Sequence, residues 1–591
     1  MISHYLKRAI SNRVGLGLAI IVILFIVGCR LLVIACSHTP SHWRAIAGEI
    51  GSVAQFREDY YPVYPNQDGT RIGFLQETEK GVGIFFCDTD SGKTKLLCEQ
   101  KEDGYSWQRF GMLGWSPDDK LFAYAVPLDH RLNPGQREEQ IVLCDSLSGE
   151  AAAKIPEDPD LTEIAWLSPQ EFACLTYDQH VTVWKKKKRS GEWAQSLAYT
   201  NIASGRVETI QNSFTATSES SVAWQKGDEI WTLDFSTSTL KKIWESDVTY
   251  QLEGFTYSRE TKGYHLICRD DIGWFFIDLD PQGSALDVTR AENRGEYAYS
   301  RDEAGTNVFY IKTKTDVQPT RVFWQGAVED NIGPIEDYKS SGKYLYGNYL
   351  FFTGDLPGQP VGLWRYNIQD GMSRCLVSGL KRPLVHARIV NPQGGAVTNT
   401  LGKQMSYHVW EPVNVQAGKK YPLIITQAPY GWPQYQQVAA QEGYYFAIVD
   451  RPYWSDKTIY HWSADVMALY SMMAKNPNVD TNRVFLFGFS WSADFLSQLM
   501  SEEPDLWKGA ILINPAALPD LSSLLHNPRL FIVAGKDQAG EIDRLTKYQD
   551  TAAKLGVPVK LVLQKGSGHI PRSVATERER TVQFARFLVE N

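Results

Sequence analysis

Three short stretches hold side chains able to do chemistry together: Ser490 in Gly488-Phe489-Ser490-Trp491-Ser492, Asp537 in Ala534-Gly535-Lys536-Asp537, and His569 in Gly566-Ser567-Gly568-His569. A serine hydroxyl is a poor nucleophile until an imidazole takes its proton. A carboxylate that holds the imidazole in one tautomer also stabilises its charged form. Such a set forms and hydrolyses an acyl-enzyme, with His569 as general base and then general acid. Each residue also has an ordinary reading. Gly-x-Ser-x-small arises often by chance, His569 is one of 11 histidines, and Asp537 could cap a helix, with Asp543 and Asp550 close by.

What separates the two readings is placement. From about residue 390 apolar runs alternate with helical patterns: Leu423-Ile424-Ile425, Tyr445 to Val449, Val484 to Phe487, Ile511-Leu512-Ile513, Leu530 to Val533 and Val559 to Leu563 read as strands. Helical candidates lie between them at Ser463 to Ala474, Ala493 to Met500 and Glu541 to Leu555, with a terminal helix from about Ser573. Near-continuous apolar strands alternating with helices predict a doubly wound parallel sheet over 390–591, whose function gathers at the carboxyl ends of strands. Ser490, Asp537 and His569 each follow a strand directly, in the chain order of an α/β-hydrolase triad. Asp543 and Asp550 fall inside the predicted helix. Gly488 and the small Ser492 flank Ser490 where a sharp strand-to-helix turn needs little bulk.

Before this region, residues 37–389 read as short strands and turns. Apolar runs ending in Asp88, Asp145, Asp234, Asp278 and Asn367 lie 57, 89, 44 and 89 residues apart. The long intervals are twice the short one, so each hides a degenerate copy, at Val181 to Trp184 and at Val308 to Ile311. Seven units of about 45 residues predict an all-β propeller of about seven four-stranded blades. Cys87 and Cys98 flank a predicted turn and could face each other across it; buried thiols are the expectation for most of the eight cysteines, which lack metal-type spacing. Net charge is -8, and the basic run Lys185 to Arg189 sits where a hairpin tip should fall, so no nucleic-acid partner is expected.

At the N-terminus, Lys7, Arg8 and Arg13 precede an apolar run from Val14 to Cys36, broken only by Arg30. As a helix it would span roughly 34 Å, enough for a bilayer core. The positive flank predicts that residues 1–36 form a membrane anchor or signal segment, with the bulk of the chain extracytoplasmic. Cys29 and Cys36 each end a lipobox-like tetrapeptide, so lipoprotein processing at either is a further expectation.

The multidomain arrangement, a propeller followed by a hydrolase domain, resembles the prolyl oligopeptidase family of serine peptidases. Locally, Lys420-Tyr421-Pro422-Leu423-Ile424-Ile425, Asp465, Val479 to Val484 leading into the elbow, and Lys554 to Val559 before Gly566 to His569 are similar to that family's segments. The resemblance implies a serine peptidase whose propeller limits access to the site, favouring short peptides. The family's Gly-x-Ser-Tyr-Gly-Gly is replaced here by Trp491, Ser492 and Ala493 after the serine. Trp491 still offers a backbone N–H for an oxyanion hole. Where relatives have a glycine-rich stretch, this chain has Ala428-Pro429-Tyr430-Gly431, making Tyr430 or Gly431 the second donor. No acidic pair for gripping a free amino terminus stands out. The same triad would serve an ester or acylated glycan, and a non-catalytic propeller protein with a decayed hydrolase domain is the remaining alternative. No metal or organic cofactor is implied.

Overall fold

At Asp88, Asp145 and Asp234 the recurring acidic position is a turn fastener; Asp278 instead meets His265, and Asp280 accepts the turn N–H groups of Gln282 and Ser284. The structure is a computed structural model that describes residues 40–591 apart from 55–62, 67, 102–110, 128–138, 158–160, 177–179, 200–213, 247–250, 258–261, 270–273, 291–295, 301–308, 313–319, 325–333, 336–340, 347–348, 355–360, 368–371, 428–433, 451–458, 525–528, 536–538 and 565–572. Asp88, Asp145 and Asp234 end the third strands of their sheets, and each carboxylate accepts both the backbone N–H and the hydroxyl of a serine in the next turn: Ser91 (2.7 and 2.6 Å), Ser148 (2.7 and 2.9 Å) and Ser236 (2.8 and 2.6 Å). Short polar side chains that bond their own backbone favour turns over continued strand.

Among the described residues seven four-stranded antiparallel meanders follow one another at 64–101, 111–157, 161–199, 214–245, 251–290, 296–335 and 341–378. First strands touch from the first sheet through the fifth and from the sixth to the seventh, and the first strand of the first sheet (Tyr64–Pro65) also touches that of the seventh (Ser341–Tyr346). Among the described residues the seven four-stranded units read from the spacing are therefore present as sheets. Sheets six and seven are further joined by parallel pairing of Tyr299 with Tyr344 and Ser300 with Leu345.

Two details differ from the sequence expectation. The third strand of blade six is Thr320–Trp324, whereas Phe309–Lys312 is its second strand. The Phe-Tyr-Ile run there imitates the repeat in residue type alone. Cys87 and Cys98 do not face each other, since Cys87 is in register with Thr94 and Cys98 with Ile84. The basic run does form a hairpin tip: Lys185 pairs with Glu171 at 2.7 Å, while Lys187 to Arg189 are exposed.

Among the described residues the C-terminal sheet has eight strands, numbered here β1 (Gln393–Thr398), β2 (Gln404–Trp410), β3 (Tyr421–Gln427), β4 (Tyr445–Asp450), β5 (Val479–Phe489), β6 (Gly509–Ile513), β7 (Arg529–Gly535) and β8 (Val559–Gln564). Their order is 1-2-4-3-5-6-7-8, with β1 and β2 antiparallel and β3 to β8 parallel. This is the α/β-hydrolase sheet. Helices α1 (Pro40–Ile50), α2 (Gln434–Gln441), α3 (Ile459–Met473), α4 (Trp491–Glu502), α5 (Ala539–Leu555) and α6 (Val574–Glu590) cover it. Alternate residues of β3 and β5 enter opposite cores: Leu423, Ile425 and Leu486 meet Leu496 and Met500 of α4, while Ile424, Phe485 and Phe487 meet Phe584 and Phe587 of α6. Burial on both faces is why these strands read as unbroken apolar runs. Each such side chain contributes about 1.5–3 kcal/mol.

Residues 40–50, placed by sequence in the propeller segment, instead form α1, and Trp43, Ile46, Ala47 and Ile50 join the hydrolase core beside α6. The 3.6-residue spacing of those four makes the apolar stripe that α6 requires. Blade one also holds α6: the Val574 N–H donates to the Thr78 carbonyl (2.8 Å) and Arg578 forms a forked pair with Glu79 (3.2 and 3.1 Å). Among the described residues no helix is long and apolar enough to cross a membrane; the expected anchor at 14–36, with Cys29 and Cys36, lies outside the described residues.

Candidate active site

β5 ends at Phe489 and α4 begins at Trp491, leaving Ser490 alone to make the turn. It does so at φ 54° and ψ -124°, a backbone state costly for any residue with a Cβ. Surrounding bonds over-determine it. The Ser490 N–H donates to the Ile513 carbonyl at the end of β6 (2.8 Å), and the Ser490 carbonyl accepts the N–H of Ala493 (2.9 Å). The turn works only because Gly488 has no side chain: a Cβ there would lie 2.4 Å from the Ala493 Cα and 2.7 Å from its nitrogen.

Ser492 does more than stay small. The Phe489 N–H donates to its Oγ (2.8 Å), and its hydroxyl donates to the Phe489 carbonyl (2.9 Å). One buried hydroxyl thus satisfies both backbone groups of the last strand residue, which a glycine could not do. Trp491 has its own partner, lying edge-on to Trp462 of α3 with ring centroids 3.7 Å apart; Trp462 also packs on Phe495. The departures from the family's elbow are accounted for by local contacts. As the first residue of α4, Trp491 stands where backbone N–H groups and the helix dipole favour developing negative charge.

Further along the sheet, Asn514 immediately follows β6 with φ 50°. Its N–H donates to Val533 (2.7 Å) and its side-chain oxygen accepts the N–H of Gly535, the last residue of β7 (3.0 Å). Asn514 therefore pins the strand end two residues before Asp537. No motif announced it; an Asn just after an apolar strand is a weak sign of positive φ. Beside it, Asp494 in the first turn of α4 accepts the Ala517 N–H (2.7 Å), and burial raises its pKa despite that bond and the Ala516 N–H. Arg544 of α5 donates to the Pro515 carbonyl (2.6 Å). The loop after β6 is thus held from both sides.

Of the residues singled out from sequence, Ser490 and Trp491 are described and adjoin at the elbow. Asp537, His569, Tyr430 and Gly431 lie outside the described residues, but the strand ends that precede them do not. Gln427 ends β3, and Gly535 of β7 is in register with Gln564 of β8. Among the described residues no group of three His, Cys, Asp or Glu side chains could hold a metal ion.

No family model matches the chain, and no curated protein matches it in sequence. Its fold does match solved structures. Over 92% of this chain and 96% of the other, it resembles an acylaminoacyl peptidase of Pyrococcus horikoshii at TM-score 0.61 with 14% identity. With the same coverage it resembles a puromycin-hydrolyzing peptidase of Mycobacterium tuberculosis at TM-score 0.65 with 12% identity. Dipeptidyl peptidase 4 of Porphyromonas gingivalis follows at TM-score 0.57 and 11% identity, covering 91% and 97%. The chain has the propeller-plus-hydrolase fold of prolyl oligopeptidase family peptidases.

Proposed function

We propose that this chain is a serine peptidase acting on short peptides through an acyl-enzyme on Ser490. The observation that carries the reading is the strained Ser490 backbone at the junction of β5 and α4, on a sheet of α/β-hydrolase order. A side chain held there is presented at the carboxyl edge of the sheet, where a substrate carbonyl can reach it. His569 takes the serine proton and returns it to the leaving amine; Asp537 orients the imidazole. The Trp491 N–H and a donor from Tyr430 or Gly431 stabilise the oxyanion. The propeller restricts entry to small substrates. Residues 14–36 tether the enzyme with its bulk outside the cytoplasm. The fold shared with three peptidases favours an amide substrate over an ester.

Turnover of short peptide anilides, compared with short acyl esters, tests this. Peptide hydrolysis abolished by about 10⁴-fold or more in Ser490→Ala is expected. Ester turnover without peptide turnover would move the assignment to an esterase.

A further inference from the structure

We propose that Glu577 and Arg580 of α6 are positioning residues for the hydrolytic site, acting through Gln434 and Gln564; this rests on the serine-hydrolase reading above. The two charged side chains lie three residues apart on the inward face of α6, 8% and 1% exposed. Charges are rarely buried so completely, and apolar replacements of equal volume often fold at least as well, so their presence calls for a reason beyond stability.

Their partners supply one. Glu577 accepts a hydrogen bond from the side-chain amide of Gln434, the first residue of α2. Arg580 Nε donates to the side-chain oxygen of Gln564, the last residue of β8, at 2.7 Å. Gln564 then donates from its amide to the Thr576 carbonyl in the first turn of α6 (3.2 Å). Ser573 caps that turn by accepting the Thr576 N–H (3.2 Å). Gln434 and Gln564 are themselves buried, and Tyr435 packs against Phe487 of β5 and Phe584 of α6.

The three chain points so joined are not arbitrary. Gln434 directly follows segment 428–433, which carries Tyr430 and Gly431. Gln564 directly precedes, and Ser573 directly follows, segment 565–572, which carries His569. Two sets of buried bonds on one helix, α6, therefore tie Gln434, after the expected oxyanion segment, and Gln564 and Ser573, which flank the histidine segment, to a common element. Hydrolysis needs donor and base held to within about 0.5 Å of one geometry. Gln434 and Gln564 transmit that constraint, and a buried carboxylate and guanidinium give it directional, charge-assisted bonds.

The test uses the full chain and compares Arg580→Met, Arg580→Lys and Glu577→Gln with Arg586→Gln, an exposed control on the same helix. Peptide kinetics, the rate of fluorophosphonate labelling and melting temperature are measured together. The expected result is a fall in kcat of about 10–100-fold for Arg580→Met with KM changed less than about threefold, slower labelling to match, and partial rescue in Arg580→Lys. A lower melting temperature with kcat and labelling rate unchanged in the folded variant would overturn the proposal, leaving the pair purely structural. Should Arg580→Met fail to fold, Glu577→Gln and Gln564→Ala decide by the same criteria. A wild-type protein that takes no label would instead sink the serine-hydrolase reading, so the two failures are distinguishable.

Discussion

The hydroxyl of Ser492 bonds both the N–H and the carbonyl of Phe489, at 2.8 and 2.9 Å, and so braces the strand end on which Ser490 turns. Replacing Ser492 by Ala removes both bonds from the Phe489 backbone. The expected cost is about 1–3 kcal/mol of stability, with kcat/KM reduced about tenfold as the elbow loosens. Chemical denaturation and peptide kinetics check both numbers. A variant equal to wild type in both would show the brace to be incidental.

Gly488 is the steric counterpart. Its missing side chain faces the Ala493 backbone at 2.4 Å, where nothing flexible can yield. Gly488→Ala should cost about 1–3 kcal/mol or more and remove activity even in protein that folds. Full activity in Gly488→Ala would mean that the turn is not held as described.

The linker into the hydrolase domain is clasped by Glu49 of α1. Its carboxylate accepts the N–H groups of Val385, His386 and Ala387 at 3.1, 2.9 and 3.0 Å and meets the His386 ring at 2.7 Å. Burial raises its pKa, but the Ala387 N–H, the His386 side chain and the His386 N–H together outweigh it, so the net shift is downward. A carboxylate with a lowered folded pKa stabilises above its unfolded value of about 4.3, and that contribution is lost as pH falls through the folded pKa. Melting temperature measured from pH 7 down to pH 3 should therefore fall less steeply in Glu49→Gln than in wild type. Parallel curves would contradict the clasp.

Thiol chemistry offers an independent check on the propeller. Burial pushes the thiols of Cys87 and Cys144 up to about 12 and that of Cys375 to about 11, and Cys87, Cys98, Cys144 and Cys375 form no disulfide. Since the thiolate is the reactive form, Cys87, Cys144 and Cys375 should resist a thiol reagent at neutral pH in the native protein and react promptly after denaturation. A melting temperature lowered by reductant would contradict this arrangement.

What the sequence shows of each element depends on what that element buries. Val484 to Phe487 and Leu530 to Val533 were readable because both faces of their strands are apolar. The blades were readable because Asp88, Asp145 and Asp234 repeat one turn chemistry. Helix α2 was not, because Gln434, Gln436 and Gln437 are buried as amides. Gln437 exchanges two hydrogen bonds with the Val390 backbone, both 2.8 Å, so a polar pattern hides an inward face. In blade six the third strand, Thr320–Trp324, carries no acidic residue, and the apolar run Phe309 to Ile311 before it resembles the repeat in residue type. At the site, the elbow serine, its flanking glycine and the strand ends can be found from residue types alone. The Ser492 brace, Asn514 and the bonds of Glu577 and Arg580 cannot, because each depends on a partner distant along the chain or on a backbone angle.

The central claim is that Ser490 is an activated nucleophile. Full-length protein treated with a fluorophosphonate probe, followed by mass spectrometry of the labelled peptide, tests it most directly. Stoichiometric modification on Ser490 and none in Ser490→Ala is the expected result. Equal labelling of the two proteins, or a wild type that stays unmodified, would contradict it.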